Sequence, residues 1–277
     1  MPFGANRGLF LSPQSADNLW TPADTDTNVW LDAFGSTDLT LSGTNVTQWD
    51  NKANSGSATN FTQTTSSLQP TWDATNQCVT FDGVDDFMGA IGTHGIGGNP
   101  DWTTIAVIEF VSKVGVNDRF FQLGEGGTGA ANGVAISGGT GSGNGGWSWR
   151  YNIGYESFGS VTASVQYVTS WVRPAGGNFA SSQLFLDGTE NTRDSGYNDS
   201  ATPNITSASS GPSSTIGKGQ GGGSGSFFAN IRIHELVTME SSVVADRQKL
   251  EGYAAWRWGL EGNLPVGHPY KTAAPTA

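Results

Sequence analysis

The sequence predicts an all-β protein, an antiparallel sandwich with one helix near its C-terminal end. Three observations predict it. The 277 residues include 40 glycines and 11 prolines, which interrupt helices and close turns. Only 13% of the residues are charged, too few for a helical bundle or coiled coil. Short β-prone runs recur along the chain with turn signals between them. Disorder is excluded by 36% hydrophobic residues, with 10 Trp, 14 Phe and 6 Tyr, because each buried aromatic removes roughly 150–250 Å² from water. Such a core fits one large domain.

Taken in order, residues 1–28 read as an arm. Gly4, Gly8, Pro13 and Pro22 break it up, and its apolar points are Phe3, Leu9, Phe10 and Leu11. It is either an attachment segment or a flexible terminus. Strands follow at 29–33, 46–50 and 77–82, the last closed by the turn-forming Asp82-Gly83. Residues 102–113 make the longest strand, rich in β-branched residues and buried on both faces. Next come 119–123, 134–137 and 147–153, the last with period-two alternation that puts Trp147, Trp149, Tyr151 and Ile153 on one face. Strands at 161–173 and 183–186 lead into the hairpin signal Asp187-Gly188, and strands at 214–217 and 227–237 complete the sandwich.

One segment is helical, 242–258. Val243, Leu250, Ala254 and Trp258 fall on one stripe, Ser241 or Ser242 caps its start, and Gly259 ends it. Arg247 and Arg257 lie near that stripe, with stems expected to pack and heads to reach water. The domain organisation is therefore an arm, 1–28, a sandwich, 29–240, and a helix and tail, 241–277, packed on it.

The net charge is −11, and residues 1–138 hold 14 acids against 4 bases. No cluster of Lys or Arg exists, so neither nucleic acid nor an anionic membrane is an expected partner. The longest apolar stretch, 105–111, contains Glu109 and is too short to span a bilayer. Cys78, the single cysteine, forms no intrachain disulfide and reads as a small apolar group of a strand. Residues 1–11 lack the pattern of a signal peptide, so synthesis and folding in a cytoplasm are expected.

Several strings resemble the laminin G-like, concanavalin A-like jelly roll. They are Phe81-Asp82-Gly83-Val84-Asp85-Asp86-Phe87, Leu184-Phe185-Leu186-Asp187-Gly188, Ile216-Gly217-Lys218 and Phe228-Ala229-Asn230-Ile231-Arg232-Ile233. The opening Trp30-Leu31-Asp32-Ala33, the closing stretch from Asp246 to Leu260, and Asn263-Leu264-Pro265 with His268-Pro269-Tyr270-Lys271 are similar to a subgroup found in bacteriophage structural proteins and bacterial surface proteins. The resemblance covers 29–271. It implies two curved antiparallel sheets and the binding of glycans or proteins. Hydrolytic members carry Glu-x-Asp-x-Glu or Glu-x-Asp-x-x-Glu on a strand, and no glutamate here has an Asp two positions later.

Other chemistry is thinly represented. Asp85-Asp86 is the one adjacent acidic pair, and neighbours on a strand face opposite ways. Asp82, Asp85 and Asp86 read as a turn, with calcium binding by their hard oxygens as the alternative. His94, His234 and His268 stand in no nucleophile motif. Gly217-Lys218-Gly219-Gln220-Gly221-Gly222 satisfies G-x-G-x-x-G, but a strand follows it, leaving no helix N-terminus for a phosphate. Most of the aromatic stripe reads as core. Whatever part of Trp147, Trp149, Tyr151 and Tyr155 stays exposed reads as a surface on which a sugar's apolar face can stack.

The expectation is a bacteriophage virion structural protein that is not an enzyme, a capsid decoration, fibre or tail adhesin displaying a lectin-like jelly roll. It would be made in the host bacterial cytoplasm and located on the virion, with no cofactor beyond that calcium. Its partners would be other virion proteins, through Phe3, Leu9, Phe10 and Leu11, and host surface glycans. Like charge opposes domain-to-domain association, so any homo-oligomer would form through the arm. The alternative is a lectin without a structural role.

Overall fold

A computed structural model describes residues 19–112, 118–124, 133–138, 146–151, 154–197, 200–208, 211–220 and 226–277. The strands are β1 Val29–Asp32, β2 Leu39–Ser42, β3 Asn45–Trp49, β4 Phe61–Thr62, β5 Thr71–Asp73, β6 Cys78–Asp82, β7 Met88–Ala90, β8 Trp102–Phe110, β9 Asp118–Gly124 and β10 Gly133–Gly138. They continue as β11 Ser148–Tyr151, β12 Gly154–Ser157, β13 Gln166–Arg173, β14 Gln183–Leu186, β15 Thr189–Asn191, β16 Ser195–Tyr197, β17 Ser214–Ile216, β18 Lys218–Gln220, β19 Ser226–Phe228 and β20 Asn230–Met239. Helix α1, Val244–Trp258, follows.

Eighteen strands pair into one antiparallel network, and β18 with β19 forms a separate hairpin. The network doubles over into two sheets. The first runs β15–β14–β13–β8–β20, and β1 and β6 share the far edge of β20. The second runs β3–β4–β7–β17–β9–β10–β11–β12–β16. Strand β5 pairs with both β3 and β6 and joins the two.

The alternation of β8 shows how the layers stack. Trp102, Ala106, Ile108 and Phe110 enter the core between the sheets, while Ile105 and Val107 face α1. This strand is buried on both faces, as its sequence predicts. Across the main core, Trp171 of β13 meets Trp149 of β11 edge to face at 5.5 Å, and Phe110 of β8 meets Trp147 at 5.5 Å. The order is thus second sheet, aromatic core, first sheet, second core, helix.

Gly259 closes α1 as expected, with φ +69 and the Leu260 N–H reaching back to the Ala255 carbonyl at 2.7 Å. The start differs from expectation. Val243 occupies the N-cap position without a side-chain cap and is exposed. The Ser241 hydroxyl is drawn to the Asp246 carboxylate and Ser242 bonds Asp101, so both candidate caps serve other partners. The buried stripe begins at Leu250 and continues through Tyr253, Ala254, Ala255 and Trp258.

The Arg247 head does not reach water as the sequence suggested, whereas the Arg257 side chain is 28% exposed and its head is paired. Arg247 Nη1 donates to both Glu251 oxygens, at 2.6 and 2.8 Å, with its guanidinium 3.6 Å from the Phe185 ring centre. Arg257 Nη2 donates to Asp32 at 2.6 Å. The seam between helix and sheet contains buried carboxylates, and a carboxylate in a dry seam requires charged or hydrogen-bonding partners.

The body also starts earlier than 29. Leu19 bridges Thr276, the Trp20 N–H donates to the Pro275 carbonyl, and the Trp20 ring packs edge-on against Tyr253 at 6.1 Å. Leu19 and Trp20 therefore belong to the helix layer, while Asn28 bonds β20 through the Thr238 carbonyl. Phe3, Leu9, Phe10 and Leu11 lie outside the described residues.

Candidate functional site

The stripe that the sequence singles out divides between core and surface. Trp147 and Trp149 are 0% and 1% exposed. Both belong to the aromatic core, so neither can stack against a sugar, and their assignment as contact residues is corrected. The alternation is real, but its apolar face turns inward because Trp171, Trp102 and Phe110 await it on the opposite sheet. Tyr151 pairs with Gly154 in the β11–β12 ladder, and its side chain lies outside the described residues.

Strand register sends Tyr155 the other way. Trp149 lies directly opposite Glu156 across β11 and β12, so these two share the inner face. Tyr155, one residue away, points outward. Its cross-strand partner is Tyr197 of β16. The two rings lie 6.3 Å apart with planes 24° from parallel, and Tyr197 is 60% exposed. A pair of phenols on an outer sheet face offers two π surfaces for the C–H face of a pyranose and two hydroxyls that can donate or accept at its rim.

Sequence reasoning missed Tyr197. It sits in a polar stretch, Thr189 to Ser200, with no apolar alternation to mark a strand. Only the pairing of β12 with β16 reveals it.

The structure brings Asp82, Asp85 and Asp86 together, with a carboxylate oxygen of each within 4.8 Å of the others. Asp82 Oδ1 accepts the backbone N–H groups of Val84, Asp85 and Asp86, and Asp86 Oδ2 accepts that of Asp82. Burial, followed by the charges of Asp82 and Asp85, pushes the Asp86 carboxyl up to about 6. These hydrogen bonds close a turn that holds the three carboxylates together.

Two buried carboxylates occupy the helix–sheet seam. Glu235 of β20 accepts Trp30 Nε1 at 2.9 Å, Tyr253 Oη at 2.8 Å and Trp258 Nε1 at 2.7 Å. Burial and then the charge of Asp32 raise its carboxyl to about 7, against the pull of Arg257 and the indole donors. Glu251 of α1 accepts Ser170 Oγ at 2.6 Å, Arg247 and His268 Nε2 at 3.1 Å. Because His268 Nδ1 accepts the Tyr270 N–H, Nε2 carries the proton that Glu251 receives. A serine, a glutamate and a histidine are thus in contact, but the glutamate stands between the other two. The histidine cannot take the serine's proton, and the set is not a nucleophile triad. It fastens the helix to β13 and the tail to the helix.

The closing string that carried the sequence resemblance is therefore packing. A Cβ at Gly252 would lie 2.5 Å from the Tyr270 Cβ, so the tail crosses the helix where only glycine fits. Among the described residues, Tyr155 is the outward-facing part of the predicted stripe, and Tyr197 joins it from β16.

No family model matches the chain, and no curated protein matches it. Among solved structures it is similar to Trypanosoma rangeli sialidase, at 12% identity and a TM-score of 0.49, over 79% of this chain and 31% of that one. It is also similar to a mutant of NanB sialidase from Streptococcus pneumoniae, at 11% identity and a TM-score of 0.38, over 60% of this chain and 26% of that one. The chain spans less than a third of the length of these proteins. The likeness is one of fold, and no catalytic residue is carried over with it. These neighbours are enzymes, which overturns the expectation that the chain is not one. They show no link to a laminin G domain or to a phage protein. The all-β sandwich with one C-terminal helix stands.

Proposed function

We propose that this chain is a glycan-recognition sandwich whose contact surface is the outer face carrying Tyr155 and Tyr197. The observation that supports it is the cross-strand pairing of two tyrosines on a face turned away from both hydrophobic cores. A core has no use for these rings, and exposed paired aromatics suit a ligand with an apolar face and a hydrated rim. Glycan-array binding by the intact chain and by Tyr197→Ala tests it. The intact chain binds a discrete set of glycans, and the variant loses them at an unchanged melting temperature. An array without signal, or a variant that binds as well as the intact chain, overturns the proposal.

The second reading places this module on a bacteriophage particle. Two things favour it, the sequence resemblance and the geometry of attachment. Leu19 and Thr276 lie side by side on the helix layer, on the far side of the body from the tyrosine face, so a tether at residue 19 directs that face outward. Co-sedimentation with particles produced without the protein tests it. Saturable binding that requires residues 1–18 supports display, and failure to bind overturns it.

A further inference from the structure

We infer that the open edge of the sandwich holds a second subsite, for one uncharged sugar residue of a glycan already seated on Tyr155 and Tyr197. The inference rests on the reading of that face given above. Here the chain crosses from β15 on the first sheet to β16 on the second. A pocket of ≈ 650 Å³ opens there, lined in part by Phe158, Ser182, Gln183, Glu190 and Arg193. That volume lies within the range of small-ligand sites.

Its chemistry suits a polyol. Phe158, 2% exposed and packed against Trp171 in the core, closes the floor, and the polar groups stand at the rim. Gln183, Glu190 and Arg193 present planar groups able to bond vicinal hydroxyls in pairs. All three are already oriented, since Gln183 Nε2 donates to Glu190 Oε1 at 3.0 Å and Arg193 Nε donates to the fully buried Glu156. Glu190 and Arg193 are the only charged residues among those lining the pocket. Arg193 is already paired with Glu156, so Glu190 leaves the pocket with a negative balance, which favours an uncharged ligand over an acidic one.

Ser182 points to a missing partner. It is 5% exposed and lines the pocket, and its buried hydroxyl has no hydrogen-bond partner among the described residues. A buried hydroxyl without a partner weakens a fold, and a ligand hydroxyl in the pocket would satisfy it. The wall that carries it is fixed in advance. Fully buried Arg173 donates to the carbonyls of Gly177 and Asn178, to Asn99 Oδ1 at 2.9 Å and to Ser181 Oγ at 3.2 Å. Phe158 lies three residues along the chain from Tyr155, about 10 Å at ~3.3 Å per residue. A glycan of several units can reach both places, whereas a single sugar cannot.

The test is calorimetric titration of the intact chain, Ser182→Ala, Gln183→Ala and Tyr197→Ala. The probes are oligosaccharides of one to six residues built from glucose, galactose or N-acetylglucosamine, and the same set ending in glucuronate. The intact chain gains at least tenfold in affinity between the shortest and longest neutral probe it binds, and less for the acid-ended one. In Ser182→Ala and Gln183→Ala that gain falls below threefold, and Ser182→Ala melts higher than the intact chain in the absence of ligand. Equal length dependence in these variants and the intact chain overturns the subsite while leaving the tyrosine face standing. Loss of binding in neither these variants nor Tyr197→Ala, or no binding by the intact chain, overturns both.

Discussion

Trp149→Ala separates a core tryptophan from a sugar-binding one. The side chain is 1% exposed and lies edge to face with Trp102 at 5.7 Å and Trp171 at 5.5 Å. Truncating a buried Trp to Ala costs about 3–5 kcal/mol, which includes two aromatic pairs of about 0.5–1.5 kcal/mol each. For a chain of this size each kcal/mol moves the melting temperature by roughly 2–4 °C, so a loss near ~4 kcal/mol lowers it by roughly 8–16 °C. Tyr197→Ala, at an exposed position, stays within about 0.5 kcal/mol of the parent. Differential scanning calorimetry of both variants, with the parent alongside, reads the contrast. A Trp149→Ala protein that melts with the parent but has lost its glycans would refute the reasoning. It would put Trp149 on the surface and, through strand register, turn Tyr155 inward.

Three further outcomes follow from the seam and the termini. Glu251→Ala strands Arg247, His268 and Ser170 without an acceptor, and urea titration should show a loss of about 3–5 kcal/mol; a loss under ~1 kcal/mol would mean that water replaces the carboxylate. Glu235 has a folded pKa raised from 4.5 to about 7, so its contribution to stability is fully present below about 4.5 and lost as pH rises through about 7. The unfolding free energy of the parent minus that of Glu235→Gln, in which the titrations of Asp86 and His94 cancel, should therefore fall between pH 5 and pH 8 by an amount on the order of 3 kcal/mol; a constant difference contradicts the burial of this charge. Deleting residues 1–28 removes buried Trp20 from Tyr253 and lowers the melting temperature below that of a 1–18 deletion; equal melting of the two deletions would show that 19–28 is a free arm.

The strands and the helix end were legible because their signals are local. β8 shows as a β-branched run and the end of α1 as a glycine needing positive φ. The alternation of Trp147 and Trp149 was equally legible, but a period of two gives two faces without saying which one is inside. That depends on Trp171 and Phe110, which belong to another sheet. The seam's pairings escaped for a similar reason, apart from Arg247 and Glu251, which stand four positions apart on one helix. Ser170 and Glu251 are 81 positions apart, Trp30 and Glu235 are 205 apart, and Asp32 and Arg257 are 225 apart. No window on the sequence contains both members of these pairs. The closing string looked like a functional signature because its residue types are unusual together, and the fold explains them as one latch built from Gly252, Glu251, His268 and Tyr270. Tyr197 carried no signal at all, since its value lies in the partner across the strand.

The outward tyrosine face is tested most directly by NMR of the chain labelled only on its tyrosine rings, titrated with a glycan that the array identifies. Six tyrosines give six ring signals, assigned by substitution. The account predicts that the signals of Tyr155 and Tyr197 shift together and saturate with the binding curve, while Tyr253, buried against Glu235, stays fixed. Saturating binding that leaves both Tyr155 and Tyr197 unmoved would contradict it.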